Sequence, residues 1–555
     1  MAESSSDLQQ HVEEVDNAES NSEENLDIEI VDPCLNDEGA LEIVTKGTPL
    51  ETILNIHPQP PCVKDMEQIQ HNNFIFMISP FKYDPLNPER EPITSRISNR
   101  SINGSDANLV FMPCSPHNVT DNKRSIWLLN RQSLINLKNM CDHHMATIKD
   151  LKKTIRECAH RHYNLDCLQK LIDDVYSNDE RAHFMSTVLS NICTLALNVD
   201  TIFSRPLPLL RIGTNRSVTM SQQQAASLLA CAFFCLFPNR SDYKQKNKRR
   251  SFPNPNFNAL YQSGHPKKIQ KLKCILHYFR RITEKMPNGI ITIQRFALPT
   301  HLFPQWSDLQ TGLCDLHLTT GKKIEDVNGA LQVDFACKYI GGGVLGNGCV
   351  QEEIRFTICP EMLVSLLVCE RMEPNECIFL IGCERYSSYR GYANSFQFDG
   401  DYIDNTPKDN WGRKWSHLVA MDAICFRDPS TQYDMECVDR ELLKAYTSFR
   451  PLEEGSDYEF AIVTGNWGCG AFHGDKYVKA IIQLMAASEA RRPLIYAAYH
   501  DKTLIDSLDV VYDYLKDQKA TIGDLYQYLK RYFTQMDRGS LFEYILNTPV
   551  SFIKS

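Results

Sequence analysis

"LQVDFACKYIGGGVLGNGCVQEEIRF", residues 331–356, decides how this chain is read. It opens as a short apolar strand, passes through a run of glycines and ends on Gln351, Glu352 and Glu353. Glycine runs let successive backbone N–H groups point into one concavity and approach an anion closely. Adjacent carboxylates usually repel or do acid–base work. "GGGVLG" formally satisfies G-x-G-x-x-G, but a dinucleotide-binding loop expects that motif directly between a strand and a helix. Here "CKYI" separates the strand from the glycines, so a nicotinamide-dependent enzyme is discounted.

Outward from this stretch, "GIITIQRFAL", "ECIFLIG", "EFAIVTG" and "RPLIYAAY" are short strand-like runs. Helical segments such as "PEMLVSLLVCERM" and "DKYVKAIIQLMAASEA" lie between several of them. The alternation predicts an α/β domain over residues 286–540, with a mixed central sheet flanked by helices. Two further loops follow strands: "RYSSYRGYANSF", residues 385–396, and "TGNWGCGAFHGD", residues 464–475. Ligands of open α/β sheets bind outside the carboxyl ends of strands, so the three loops are expected to share one cleft. The last loop leads into a helix near Asp475, whose N-terminus favours an anion. Two glycine-rich loops facing each other suit a diphosphate better than a single phosphate.

In extended chain Glu352 and Glu353 point to opposite sides. Glycosidases that flank the scissile bond hold two carboxyls ~5–9 Å apart on opposite faces, a poor fit to adjacent residues. The more natural division makes one glutamate acid and base and lets the other orient a sugar hydroxyl. Partial burial beside the second charge would raise one pKa and hold a proton at neutral pH. The competing reading is a surface Gln-Glu-Glu at a helix start.

The rest of the chain bounds this reading. Its 555 residues exceed one ordinary core and suggest three or four units. Residues 1–40 hold 13 Asp and Glu and no Lys or Arg, and residues 1–60 read as an acidic disordered tail. Set those 13 aside and 56 acidic residues face 59 basic ones, so global charge does not select a polyanionic partner. Residues 61–285 read as a mainly helical accessory domain. Within it "TMSQQQAASLLACAFFCLF" carries Ser221 and Gln224 at capping-box spacing. Its apolar core, residues 225–237, is too short to span a bilayer. "CDHH" at 141–144 and the pair Cys231 and Cys235 offer too few spaced ligands, so no metal site is expected. "KQKNKRR", residues 244–250, is either a nuclear localisation signal, a phosphate-contacting loop or a solvated basic loop. The N-terminus has no basic and apolar leader, so the 20 cysteines are expected to be reduced thiols.

Taken together, the Gly341-Gly342-Gly343 triplet and Gln351-Glu352-Glu353 resemble the signature of animal-type poly(ADP-ribose) glycohydrolases. "RYSSYRGYANSF", "VTGNWGCGAFHGD", "LLACAFFCLFPNR", "PLPLL" and "FRRITEKMPNG" are similar to segments of the same family, and the likeness runs from about residue 110 to 535. The resemblance implies a macrodomain preceded by a helical domain, and hydrolysis of ribose–ribose O-glycosidic bonds without metal or organic cofactor. It implies a monomer working on poly(ADP-ribosyl)ated proteins in the nucleus, the cytoplasm or both, in the DNA damage response. Membrane attachment and base-specific nucleic-acid binding are not expected.

By motif position, the resemblance makes Glu353 the main acid and base, Glu352 the ligand of ribose hydroxyls and Asp334 a support. Gln351, Ile324 and Glu325 would hold the adenine end. Tyr392 would cover the ligand and Tyr499 would lie near the adenine. Asn466, Trp467, Gly468, Cys469, Gly470, Ala471 and Phe472 would wrap the diphosphate, with Gly341, Gly342 and Gly343 close to it and to the distal ribose. One position departs: the family usually has Asn after "VDFA", touching the distal ribose, where this chain has Cys337. A thiol is a weak donor and acceptor. One lost hydrogen bond costs ~1 kcal/mol, up to ~3 if a polar partner is stranded, which predicts a weakened enzyme. The alternative is an ADP-ribose-binding reader with little turnover.

Overall fold

The computed structural model describes residues 43–69, 73–88, 90–94, 108–238, 252–450, 460–535 and 538–554. Its centre is a ten-stranded mixed sheet. In chain order the strands are β1 (Thr45–Gly47), β2 (Phe74–Phe76), β3 (Arg216–Ser221), β4 (Ile290–Ala297), β5 (Leu316–Thr319) and β6 (Leu331–Ala336). Then come β7 (Glu376–Gly382), β10 (Lys414–Asp422), β11 (Ile462–Gly465) and β12 (Leu494–Ala497). A separate hairpin, β8 (Ser387–Arg390) and β9 (Gln397–Asp401), lies between β7 and β10 in the chain. The order across the sheet is β1-β5-β12-β11-β6-β10-β7-β4-β3-β2.

The five strands β5, β12, β11, β6 and β10 are mutually parallel. Their carboxyl ends therefore share one edge of the sheet, and the site is built there. β7 runs antiparallel to β10, as do β4 to β7 and β3 to β4.

Alternation along the strands sends residues into two cores. Leu418 and Ala420 of β10 pack into the core shared with the helical region, whereas Val419 and Met421 face the core of the C-terminal helices. The first core takes in α1 (Ile126–Asp142), α2 (Gln222–Phe233) and α3 (Pro266–Glu284). The Ser221/Gln224 capping box forms as expected, with Gln224 N–H 3.1 Å from Ser221 Oγ and Ser221 N–H 3.0 Å from Gln224 Oε1. The apolar run 225–237 is buried throughout. Helix α2 nevertheless stops at Phe233, and Cys235 turns the chain at φ +55°. Every cysteine among the described residues is a free thiol. No helix among them is long and apolar enough to cross a membrane.

Three expectations need correction. Residues 43–60 are not tail: β1 pairs antiparallel with β5, and a helix spans Leu50–Leu54. Their short apolar pattern was hidden beside the acidic composition upstream. The acidic residues before 43 and the basic run 244–250 lie outside the described residues. The break at 285 is a change of texture rather than of fold, because β2 and β3 extend the same sheet through β4. The chain also continues past 540 into the helices Leu541–Asn547 and Val550–Ile553, which pack on the second core.

Where β4 meets β7, Arg295 is paired with Glu376, both fully buried. Arg295 also donates to the carbonyls of Glu370 and Arg371, each at 2.6 Å. Removing one partner of such a pair strands a buried charge, so Glu376→Ala is expected to destabilise the fold by about 3–5 kcal/mol in urea unfolding. A change below about 1 kcal/mol would show that the pair does not tie β4 to β7.

Candidate active site

Four loops leave the shared edge of the sheet. Ile324 and Glu325 follow β5, Tyr499 follows β12, residues 466–472 follow β11 and residues 337–350 follow β6. The last of these ends in α4 (Gln351–Ile358), which places Glu352 and Glu353 in a first helical turn. The helix dipole favours carboxylates there. The extended-chain expectation of opposite directions fails because the segment is helical. Both side chains are buried, 3% and 6% exposed, so the surface reading fails as well.

Both carboxylates fold back on the glycine loop, and each oxygen receives one backbone donor. Glu352 accepts from Gly341 N–H at 2.6 Å and Cys337 N–H at 2.9 Å. Glu353 accepts from Gly343 N–H at 2.9 Å and Val350 N–H at 2.8 Å. Such charge-assisted bonds are the strong kind. Only glycine permits this approach. A Cβ on Gly342, where φ is +46°, would lie 2.6 Å from an oxygen of each glutamate. One on Gly348 would lie 2.8 Å from Glu353 Cδ. Other amides of the loop turn inward, Gly342 to Tyr339 O, Val344 to Gly341 O and Gly346 to Gly343 O. Gly341 and Gly343, expected close to the diphosphate and the distal ribose, give their own N–H groups to the two glutamates.

Asp334 sits on β6, level with Ala420 of β10, and is fully buried. Neither of its carboxyl oxygens has a hydrogen-bond partner among the described residues. Burial pushes its pKa well above the usual carboxylate range, helped by the charge of Glu353 and opposed by Arg355. Burial pushes Glu352 up too, helped by Asp334 and Glu353 and opposed by the N–H donors of Cys337 and Gly341. Burial thus favours the protonated forms of Asp334 and Glu352. Gln351 fixes the helix to the strand: its Oε1 accepts from Phe335 N–H at 2.8 Å and its Nε2 donates to Val333 O at 3.2 Å.

The loop after β11 is built differently. The N–H groups of Gly468, Gly470, Ala471 and Phe472 have no partner among the described residues. They lead into α5 (Lys476–Glu489), capped by Asp475. Open amides at a helix N-terminus form an anion site. Beneath them Lys479 is buried and ion-paired with Glu441. Its Nζ lies 4.0 Å over the Trp467 ring.

The cover comes from the other side. β7 is antiparallel, so its carboxyl end lies at the edge opposite the glycine loop. The hairpin strand β8 then runs back along α4. Tyr386 N–H meets Ile358 O at the end of that helix, and the Tyr392 hydroxyl faces Gln351 N–H at its start. Tyr392 and Tyr499 meet with ring centroids 5.7 Å apart.

The description "Poly (ADP-ribose) glycohydrolase (PARG), Macro domain fold" matches residues 303–506, and "Poly (ADP-ribose) glycohydrolase (PARG), helical domain" matches residues 176–295. "Probable poly(ADP-ribose) glycohydrolase 2" of Arabidopsis thaliana is 32% identical over 434 residues, covering 67% of this chain and 83% of that protein. The chain belongs to the poly(ADP-ribose) glycohydrolase family. "Poly(ADP-ribose) glycohydrolase 1" of the same plant is 32% identical over 450 residues, covering 66% of this chain and 81% of its own length. "Poly(ADP-ribose) glycohydrolase 1" of Caenorhabditis elegans is 32% identical over 329 residues, covering 57% of this chain and 40% of its own length.

Within this glycohydrolase fold, Glu352, Glu353, Asp334, Cys337, Gly341, Gly343, Gln351 and Tyr392 come together around the start of α4, with Tyr499 against Tyr392. The other residues expected at the ligand have these partners within the chain. Trp467 is fully buried, and its Nε1 donates to Met421 O at 3.0 Å, so it anchors the loop rather than lining it. Ile324 is buried beside Val327 and Ala330. Glu325 takes the Tyr389 hydroxyl, with Lys323 Nζ 3.9 Å above that ring. Asn466 Oδ1 accepts from Tyr496 at 3.0 Å. Among the described residues, no group of three or more His, Cys, Asp and Glu could hold a metal ion.

Sequence reasoning missed Arg355, Lys479 and Lys271, each of which reads as an ordinary helix cation. The available signal was phase. Lys271 falls in helical step with Ile275 and Tyr278, both buried.

A pKa raised in the folded state means stability that is fully present below about pH 4 and is lost as pH rises through the folded value. Asp334→Asn removes an acid held this way. It is expected to change the melting temperature little at pH 4 and to raise it at pH 8. An equal shift at both pH values would contradict the burial of an ionisable group there.

Proposed function

We propose that this chain hydrolyses the ribose–ribose O-glycosidic bonds of poly(ADP-ribose), releasing ADP-ribose. One observation carries the proposal. Two buried carboxylates are pinned by glycine amides at a helix start, beside a second loop whose amides are open to a diphosphate.

In this reading the diphosphate lies on residues 468–472 and the terminal ribose against the glutamates. Glu353 gives its proton to the ribose oxygen that leaves, and the bond from that oxygen to the anomeric carbon breaks. The resulting Glu353 carboxylate then takes a proton from the water that attacks the anomeric carbon. The acid is restored and the sum is hydrolysis. Glu352 accepts hydrogen bonds from ribose hydroxyls. The two carboxylates converge on Gly342 instead of standing on opposite faces of the sugar, which favours one acid and base over a nucleophile and acid pair. Tyr392 closes over the ligand and Tyr499 takes the adenine side. Poly(ADP-ribosyl)ated proteins would be the partners, with the nucleus, the cytoplasm or both as the place of action.

Incubation with poly(ADP-ribose) should release free ADP-ribose, and Glu353→Gln should lose on the order of 10²-fold or more in rate while still binding ADP-ribose. Near-normal turnover in that variant would sink the role given to Glu353. Cys337 supports the second reading, a reader with little turnover. Its N–H still serves Glu352, but its side chain is a poor ribose contact. Cys337→Asn is expected to raise the rate, by roughly 5-fold or more for one recovered hydrogen bond. Binding without detectable release by the wild-type chain would establish the reader instead.

A further inference from the structure

Lys271 lies on α3, in the helical region, 72 residues before the glycine loop it touches. Its side chain is fully buried. Its Nζ donates to Gly348 O at 2.6 Å, to Gly346 O at 2.8 Å and to Gly343 O at 3.3 Å. An ammonium has three donors, and here one turn of glycine loop takes all of them. No carboxylate is within ion-pair reach of it among the described residues. Placing an ammonium out of water is expensive, so such a group persists only where its hydrogen bonds fix something.

What it fixes is the seat of Glu353. Gly343 gives its carbonyl to Lys271 and its N–H to Glu353. Gly348 gives its carbonyl to Lys271, and its Cα approaches Glu353 so closely that a Cβ would meet Cδ at 2.8 Å. The loop between them is rich in glycine and would otherwise be free to take many conformations. Burial lowers the pKa of the ammonium to about 8, while Cys349 and Glu353 pull it back up, so the charge also faces the acid. The same helix braces the cover. Gln270 Oε1 accepts from Phe398 N–H at 3.1 Å, and His277 and Arg281 hold Asp401 of the hairpin.

We infer that Lys271 is a positioning residue for the hydrolytic step: its three carbonyl bonds fold the glycine loop so that Gly343 and Val350 hold the Glu353 carboxylate in its reactive place. The inference rests on the hydrolase reading for its catalytic consequence, but not for its structural one. A misplacement of about 1 Å costs on the order of 10²-fold in rate.

The test pairs steady-state kinetics on poly(ADP-ribose) with amide hydrogen exchange, using the full chain. Lys271→Met should lower kcat by roughly 10- to 100-fold, with KM and ADP-ribose affinity changed less than about threefold. Exchange should rise in peptides covering residues 341–350 and stay unchanged in those covering 466–472. Lys271→Arg, which keeps the donors, should recover part of kcat. Where Lys271→Met does not fold, Lys271→Gln carries the same readouts with fewer donors. Unchanged exchange at 341–350 would overturn the inference even if the wild type proved inert, an outcome that would sink the hydrolase reading separately. A rise in KM matching the fall in kcat would also overturn it, since it would mark general damage to the cleft.

Discussion

The bond between glycine N–H groups and buried glutamate carboxylates is the constraint from which the rest of this structure follows. Two adjacent acids are removed from water and set beside a third, Asp334. Each wants to repel the others or take up a proton. Four backbone donors make that arrangement tolerable, and Gly342 and Gly348, where a Cβ would meet the glutamates, let the loop come near enough to give them. The short strand β6 delivers the loop, the start of α4 delivers the acids, and Gln351 locks the two together.

A division of labour follows between two loops that look alike as sequence. After β6 the amides face inward, Gly341 and Gly343 to the protein's own glutamates and Gly342, Val344 and Gly346 to carbonyls of the loop. After β11 they remain open beside the N-terminus of α5 and suit an external anion. The separation is physically sensible. An amide already bonded to a carboxylate cannot also bind a phosphate, and a phosphate placed on the glutamates would add repulsion to a site already crowded with negative charge. The sheet makes the arrangement possible, because β6 and β11 are parallel neighbours and their loops leave on one edge.

Much of this was legible in the sequence. The strands β4, β6, β7, β11 and β12 are apolar runs with turn signals around them, and the Ser221 cap is a local pattern that depends on no distant contact. The Gly triplet and the glutamates announced a site. What stayed hidden depends on tertiary partners. β5 and β10 contain His317, Ser416 and His417, polar residues that are buried only because neighbouring strands cover them. β1 sits beside an acidic composition that masked it. The direction of β7 could not be read: the 385–396 loop leaves from the opposite edge of the sheet and reaches the start of α4 by running back along that helix. The destination of an amide is also not a property of composition, so nothing local shows that Gly341 and Gly343 bond the glutamates. Lys271 acts across the two regions of the chain, and no local window contains both it and its acceptors.

The most direct test of this account is a crystal structure of the chain with ADP-ribose bound. The account predicts the diphosphate on the N–H groups of residues 468–472, the terminal ribose against Glu352 and Glu353, and the bonds of Gly341 and Gly343 to those glutamates intact. A diphosphate seated on residues 341–343, with the glutamates displaced from their amides, would contradict it.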